Sequence, residues 1–299
     1  MVSNPSGPTP ARCATLRQTA EAAAKSADVT LMTATGTSDV DAESQKAAFS
    51  RMIEDGAQGI LIAPTIAPEL LPLVAAARED GVLVYAIDTA FAPEDAVDAY
   101  LATDNAAAGH LAGQYARVKS GQLGLTPKIA MLDLAPGIAS GEARQAGFLS
   151  GFGIGADDPA IVARADTEGN QELGRQRMAE ILSGHPDVNV IYTVNEPAAL
   201  GAIEALREAG ADLNRVVLVS IDGGCQAIKG AVRRGDIDAT AMQFPQNMAR
   251  EGVNGIAEAL RGEGGLSGFL DTGVRLITDD PAPGVPSADV AFGVRNCWG

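Results

Sequence analysis

The sequence predicts an α/β protein built from two doubly wound, Rossmann-like lobes. Apolar runs of strand length alternate with helical patterns along most of the chain, which favours βαβ units and parallel sheets. The runs are continuously apolar, as is typical of strands covered by helices on both faces. The series also occurs twice, once up to about residue 104 and again from about residue 128. We therefore expect one sheet in each lobe.

The individual elements follow from these patterns in chain order. Strands are predicted for VTLMTA (29–34), GILIAP (59–64), LVYAID (83–88), DAYLATD (98–104), KIAMLDL (128–134), IVARADT (161–167), VNVIYTVN (188–195), VVLVSID (216–222) and DATAMQF (238–244). Helices are predicted for 14–26, 42–55, 67–79, 106–118, 142–152, 170–183, 197–209, 225–234 and 246–261. The connections are short and carry Gly, Pro, Asp or Asn, which are turn-forming residues.

Composition and charge narrow the classes of protein. The chain has 299 residues, of which 46% are hydrophobic and 20% charged, enough for about two ordinary domains. A formal charge of −16 disfavours nucleic acid as a partner. No run of 18 apolar residues is present, so we expect no membrane insertion. The start, MVSNPSGPTPARC, lacks the layout of a signal peptide, and an exported form would have lost its signal already.

Polar side chains close several of the predicted strands. In open α/β sheets, ligands bind beyond the carboxyl ends of the strands. The residues at these ends are Asp88, Asp104, Asn105, Asn195, Glu196, Asp222 and Gln243, and Arg144 follows the KIAMLDL strand. For Asn105 and Asp222, a simple helix-capping role stays open. Together these groups offer both donors and acceptors, which suits a neutral polyhydroxyl ligand.

Signals for catalysis are weak, and we predict no catalytic residue, no metal site and no cofactor. Neither His110 nor His185 stands in a catalytic motif, and the GFGIGAD run (151–157) follows a helix, the wrong context for a dinucleotide fingerprint. The three cysteines, Cys13, Cys225 and Cys297, fit either one disulfide or three reduced thiols.

Several motifs, in order, resemble a known family. They are GILIAP, AID (86–88), ATDNAAAGHLAG (102–113), EARQAGF (142–148), VNEPAALGA (194–202), VSIDGG (219–224) and DATAMQFP (238–245). From about residue 28 onward the chain resembles the periplasmic sugar-binding proteins of ABC importers, of the ribose type. The segments DTGVRLITDDPAPGV, DGGC and NCWG are similar to a fructose-type subgroup.

The resemblance implies the type I periplasmic binding protein fold, with two lobes joined by three hinge crossings. Crossings are expected near residues 104–106, 243–246 and 272–276. The implied first lobe is 1–104 plus about 246–274, and the implied second lobe is about 105–245 plus about 275–299.

The resemblance also implies a function. A fructose-, ribose- or polyol-like sugar would be captured between the lobes and delivered to an ABC transporter permease by a periplasmic, monomeric protein. The implied ligand-binding residues are Asp88, Thr103, Asn105, Arg144, Asn195, Asp222 and Gln243. Two alternatives stay open: the core of a cytoplasmic sugar-responsive regulator, and an enzyme on a related α/β scaffold.

The sequence departs from the family near its start. Only MVS precedes the Asn4-Pro5 pair, and Ser6 and Gly7 follow where the family has two aromatic residues that stack on the sugar. Ala63 also stands where a polar residue is common. These departures predict either a sugar held mainly by hydrogen bonds or a ligand other than the usual hexose or pentose.

The subgroup resemblance at DGGC and NCWG leads us to expect a Cys225–Cys297 disulfide that excludes Cys13. Such a bond is typical of proteins in an oxidising compartment, which supports the expected export.

Overall fold

The computed structural model describes residues 2–3, 10–36 and 41–299. The predicted departure from the family at Asn4–Gly7 lies outside these residues.

The chain forms two compact units. The first unit comprises Met1–Thr103, Phe244–Gly273 and Trp298–Gly299. The second unit comprises Asp104–Gln243 and Val274–Cys297.

Strands and helices alternate through both units, which confirms the predicted α/β class. The strands are β1 (Val2–Ser3), β2 (Ala34–Thr35), β3 (Gly59–Ile62), β4 (Leu83–Ile87), β5 (Ala99–Ala102), β6 (Ile129–Asp133), β7 (Ile161–Asp166), β8 (Val190–Thr193), β9 (Val217–Asp222), β10 (Ala239–Gln243), β11 (Gly268–Asp271) and β12 (Val274–Ile277). The α-helices are α1 (Pro10–Ser26), α2 (Ala42–Glu54), α3 (Ala67–Glu79), α4 (Asn105–Gln122), α5 (Ala139–Phe152), α6 (Gln171–Gly184), α7 (Glu196–Glu208), α8 (Pro245–Leu260) and α9 (Val290–Asn296). A further helix at 225–234 has π-helical hydrogen bonding over Ala227–Val232.

In the first unit, six strands form a parallel sheet in the order β11-β5-β4-β3-β1-β2. Successive residues of β3 pack on opposite faces of this sheet. Ile60 and Ile62 belong to a buried cluster with α2 and α3, whereas Leu61 belongs to a cluster with α1 and α8. Burial on both faces explains why the strand sequence is continuously apolar.

The second unit repeats this strand order. Its sheet runs β12-β10-β9-β8-β6-β7, with β12 antiparallel to β10 and the other neighbours parallel. A shared detail marks the repeat. The Asp98 carboxylate accepts a hydrogen bond from Val84 N (2.8 Å) just before β5, and the Asp238 carboxylate accepts one from Leu218 N (2.7 Å) just before β10.

The strand predicted at 29–34 is wrong in extent, because the structure forms only Ala34–Thr35 there. In its sheet, β2 pairs with β1, which is itself only Val2–Ser3. Among the described residues, β2 is paired along the two residues of β1 and no further. Strands β1, β11 and β12 and helix α9 were not predicted.

Helices α4 and α5 pack backbone to backbone through glycines. A Cβ atom added at Gly109 would overlap the Arg144 carbonyl oxygen, and one at Gly113 would overlap the Phe148 carbonyl oxygen. In the reverse direction, a Cβ atom at Gly147 would overlap the Ala106 carbonyl oxygen. This close approach holds the start of α4 beside the first turns of α5.

Substitution of Gly109 by alanine is expected to force these helices apart and lower the free energy of unfolding by about 1–3 kcal/mol. The matched control is Gly121→Ala in the same helix, where a Cβ atom would meet nothing within 4 Å. That change should be neutral or stabilise the protein by up to about 1 kcal/mol, since glycine is a poor helix former. Urea denaturation of both variants measures the difference, and equal stabilities would contradict the packing argument.

Cys225 and Cys297 form a disulfide, with Cα atoms 4.9 Å apart, as expected. The bond joins the first residue of the helix at 225–234 to the residue that follows α9. It therefore attaches the C-terminal helix beside the end of β9.

Candidate functional site

The carboxyl ends of β8, β9 and β10 lie side by side in the second unit, and predicted site residues gather there. Asn195 follows β8, Asp222 ends β9 and Gln243 ends β10. Helices α4 and α5 add Asn105 and Arg144. The structure thus brings together five of the seven predicted ligand-binding residues in one unit.

Arg144 is the cation at the centre of this cluster, and its side chain is only 8% exposed. Its Nε donates to Asn105 Oδ1 (2.8 Å), and its Nη1 donates to the Val194 carbonyl oxygen (2.9 Å). Nη1 also lies 3.4 Å from Asp222 Oδ1, which makes a buried ion pair. The glycine contacts between α4 and α5 place Asn105 and Arg144 close enough for the first of these bonds.

Asp222 also accepts a hydrogen bond from Gln243. The distance between Gln243 Nε2 and Asp222 Oδ1 is 2.5 Å. Asp222 has a positive φ of +107°, which is uncommon for a residue with a side chain. Its neighbour Gly223 has a φ of +69°, and the backbone therefore turns sharply as β9 ends.

The capping alternative fails for Asn105 and Asp222. Asp104, not Asn105, caps α4 by accepting from Ala107 N (2.8 Å). Asp222 accepts from side chains and, weakly, from Glu196 N at 3.5 Å. Asn105 and Asp222 are therefore engaged with other side chains of the cluster.

Asn195 does act as a cap. Its Oδ1 accepts from Ala198 N (3.1 Å) at the start of α7, and its Nδ2 donates to the Gly169 carbonyl oxygen (3.1 Å). It is 5% exposed. These bonds fix its orientation, and a contact with a ligand stays a prediction.

The cluster keeps hydrogen-bonding capacity that the protein itself does not use. Among the described residues, Arg144 Nη2, Asn105 Nδ2 and Gln243 Oε1 have no hydrogen-bond partner. These atoms are two kinds of donor and one acceptor. Asp222 Oδ2, with only its long contact to Glu196 N, adds a second acceptor. A hydroxyl group both donates and accepts, so this set is chemically suited to a polyol.

Glu196 is a buried carboxylate that was named among the polar strand ends but not among the predicted ligand-binding residues. Its Oε2 accepts from Gly224 N (2.6 Å) and its Oε1 accepts from Ala227 N (2.8 Å). Burial raises the pKa of Glu196 to about 7, with a further contribution from the charge of Asp222, whereas the two N–H bonds lower it. In sequence it resembles an ordinary acidic residue at the start of a helix, so its position at a strand end did not reveal its contacts with the loop after β9.

Asp133 was not named among the polar strand ends, and it ends β6 in the same sheet. Burial raises the pKa of this carboxyl to about 6, although a hydrogen bond from Gln145 and the charge of Arg164 oppose the shift. Its Oδ1 is buried without a hydrogen-bond partner among the described residues, as is the hydroxyl of Tyr192. Burial raises the pKa of Tyr192 well above its ordinary value.

The remaining two predicted residues, Asp88 and Thr103, lie in the first unit. Asp88 follows β4 with a φ of +67°, and its carbonyl oxygen accepts from the Tyr100 hydroxyl (2.9 Å). Thr103 follows β5 and is buried, and its Oγ1 has no partner among the described residues. Nearby in the same unit, the Ala63 carbonyl oxygen accepts from the buried Gln45 Nε2 (2.8 Å).

Two features are absent from the described residues, 2–3, 10–36 and 41–299. They contain no group of three or more His, Cys, Asp or Glu residues that could hold a metal ion. They also contain no helix that is long and apolar enough to cross a membrane.

Comparison with known proteins agrees with the geometry. The family described as periplasmic binding protein domain matches residues 2–264. The ribose import binding protein of Salmonella typhimurium is 30% identical over 209 residues, which are 70% of this chain and 67% of that protein. The D-ribose/D-allose-binding protein of Pseudomonas aeruginosa is 29% identical over 251 residues, 80% of this chain and 76% of that protein.

A solved structure is similar over nearly the whole chain. The periplasmic component of an ABC-type sugar transport system from Hahella chejuensis superposes with a TM-score of 0.78 at 28% identity, and the match covers 92% of this chain and 98% of that one. Since the family match spans most of the sequence, the fold and function that the motifs implied have independent support. The chain belongs to the periplasmic binding protein family, as a sugar-binding component of the ABC importer type.

Proposed function

We propose that this protein binds a monosaccharide or polyol through the cluster at Asn105, Arg144, Asp222 and Gln243. The single observation that carries the proposal is the unused hydrogen-bonding capacity of Arg144 Nη2, Asn105 Nδ2 and Gln243 Oε1 around a buried ion pair. A ligand that bonds to these groups replaces water as their partner, and its bonds to the Arg144 guanidinium are charge-assisted and therefore stronger than neutral ones.

The chemistry of the cluster favours a neutral ligand. Arg144 already pairs with Asp222, and a negatively charged ligand would meet the acidic side chain of that pair. A vicinal diol matches the arrangement better, because a guanidinium can donate to two oxygens while a carboxylate accepts from a hydroxyl. Asn195, Asp88 and Thr103 are kept as predicted sugar contacts of their respective units.

The proposal extends to transport. Relatives of this chain are described as ribose-, allose- and xylitol-binding proteins, several of them as ribose import binding proteins. We infer a periplasmic protein that presents its sugar to the permease of an ABC importer. The Cys225–Cys297 disulfide supports this location, since structural disulfides persist in oxidising compartments.

The direct experiment is isothermal titration of the protein with ribose, allose, fructose, xylitol and inositol. We expect heat of binding with at least one of them. The same sugar should raise the melting temperature, because a ligand at about 100 times its Kd stabilises the native state by about 2.7 kcal/mol. Glucose 6-phosphate serves as a charged control and is expected to bind weakly or not at all. Absence of binding by every neutral sugar would contradict the proposal.

A further inference from the structure

The loop that follows β9 is hydrogen-bonded to the side chain of Glu196, the first residue of α7. Both carboxylate oxygens of Glu196 are used: Oε2 accepts from Gly224 N (2.6 Å) and Oε1 accepts from Ala227 N (2.8 Å). Glu196 is 4% exposed. A buried carboxylate with two short bonds to backbone N–H groups is a charge-assisted contact, stronger than a neutral hydrogen bond.

This loop carries Asp222, the acceptor at the centre of the proposed sugar site. Asp222 lies two residues before Gly224, in a backbone conformation that a residue with a side chain rarely adopts. Such a conformation persists only where neighbouring contacts hold it. The hydrogen bonds from Gly224 N and Ala227 N to the Glu196 carboxylate restrain the backbone that follows Asp222.

The glycines of the loop fit this contact. A Cβ atom added at Gly224 would overlap Glu196 Oε2, and one added at Gly223 would overlap the side chain of Met242. The loop can therefore approach Glu196 closely because position 224 has no side chain, and it can approach Met242 of β10 closely because position 223 has none. The IDGG motif and the acidic residue after Asn195 form one physical unit, although 28 residues separate Glu196 from Gly224.

We propose that Glu196 is a positioning residue for the sugar site: its ionised carboxylate fixes the loop from Asp222 to Ala227, and so aims the Asp222 carboxylate, without touching the sugar. The part of this proposal that concerns affinity rests on the proposed sugar-binding function. The part that concerns the loop stands on the geometry of the second unit alone.

The charged groups around Glu196 determine the pH range in which its carboxylate gains a proton. Among the described residues, Asp222 is the charged group that raises its pKa, from the end of β9. Arg144 of α5 pairs with Asp222, not with Glu196, and β8 contributes no charged side chain. Lys229 on the following helix is exposed, and Arg175 of α6 pairs with two surface glutamates.

Because burial and the charge of Asp222 raise the pKa of Glu196 to about 7, its carboxylate is protonated as the pH falls through neutrality. The protonated oxygen then faces an N–H group that it no longer accepts from well.

The experiment follows the backbone amide resonances of Gly224 and Ala227 in ¹⁵N-labelled protein between about pH 5.5 and about pH 8.5, a range centred on neutrality. Both amide protons should move together with a midpoint near neutrality. The Ala198 amide is the internal control, because its acceptor is Asn195, which does not titrate. In Glu196→Gln the two movements should disappear, whereas they should persist in Glu204→Gln, a change of an exposed glutamate on the same helix.

Sugar affinity is measured on the same samples. The wild-type protein should lose affinity as the pH falls below about 7, and Glu196→Gln should bind about tenfold more weakly at alkaline pH with little dependence on pH. A merely structural role would lower the melting temperature but leave no such pH dependence. The wild-type pH series needs no substitution, so a misfolded variant does not remove the test.

The outcomes separate the two claims. Amides of Gly224 and Ala227 that stay fixed across the pH range would overturn the loop contact, whatever the sugar result. Amides that titrate in a protein that binds no sugar would support the loop contact and refute the proposed function. Amides that titrate while Glu196→Gln binds sugar with wild-type affinity and wild-type pH dependence would overturn the positioning role.

Discussion

Replacing Arg144 with alanine is expected to weaken sugar binding by about 30-fold to about 5,000-fold, which corresponds to about 2–5 kcal/mol for a buried hydrogen-bonded charge. The side chain is 8% exposed and bonds to Asn105, Val194 and Asp222. Its removal takes away the donor that we assign to the sugar and leaves the Asp222 carboxylate buried beside a cavity. Titration calorimetry with the best sugar of the panel measures the loss.

Two further variants sharpen this prediction. Arg144→Lys keeps the positive charge but not the planar fork, so it should bind nearly as poorly as the alanine variant. Arg234→Ala removes an arginine of the same unit whose side chain is 58% exposed and pairs with Asp236 at the surface. Its affinity should match that of the wild type. Wild-type affinity in a folded Arg144→Ala variant would place the sugar elsewhere.

Removal of the Cys225–Cys297 disulfide by paired serine substitutions should lower the free energy of unfolding by about 4 kcal/mol. The bond closes a loop with a sequence separation of 72 residues, and a loop of that length restricts the unfolded chain strongly. Denaturant unfolding of the double variant measures the change, with Cys13→Ser as the control outside the bond. Equal stability of wild type and double variant would contradict the expected contribution of the bond.

Sugar affinity should survive this change, falling by less than about tenfold. The loop that bears Asp222 keeps its two bonds to Glu196, which do not depend on Cys297. A loss of more than about a hundredfold would instead make the disulfide the main restraint on that loop.

Much of the fold could be predicted because parallel strands buried on both faces are continuously apolar. The runs that became β3, β4 and β6 show this pattern clearly, and each was predicted within two residues of its observed ends. The pattern fails for β11 and β12, which have half-exposed edge positions and the sequences GFLD and VRLI. At 29–34 the apolar pattern predicted a longer strand than the observed Ala34–Thr35. The length of that strand depends on pairing with Val2–Ser3, which is distant in sequence.

The candidate site was predictable to the extent that strand order placed its residues together. Asp222 and Gln243 end neighbouring strands, so one hydrogen bond between them follows from the sheet. The contact between Asn105 and Arg144 depends instead on the close packing of two helices, for which the glycines of α4 and α5 were the overlooked signal. The contact of Glu196 with the loop after β9 could not be predicted from neighbouring residues in the sequence, because its partners are backbone N–H groups of that distant loop.

The positive φ angles of Asp88 and Asp222 imply a balance between native-state stability and ligand recognition at these two positions. Each angle, +67° and +107°, costs an aspartate about 1–2 kcal/mol that a glycine would not lose. The backbone conformation at both strand ends therefore has a cost in native-state stability, which at Asp222 is offset by the ion pair with Arg144. Proteins tolerate such a loss where an activity depends on it, and mutations that improve stability there tend to reduce function. These two positions are where a search for stabilising substitutions should find the sharpest conflict between thermal resistance and recognition of the ligand.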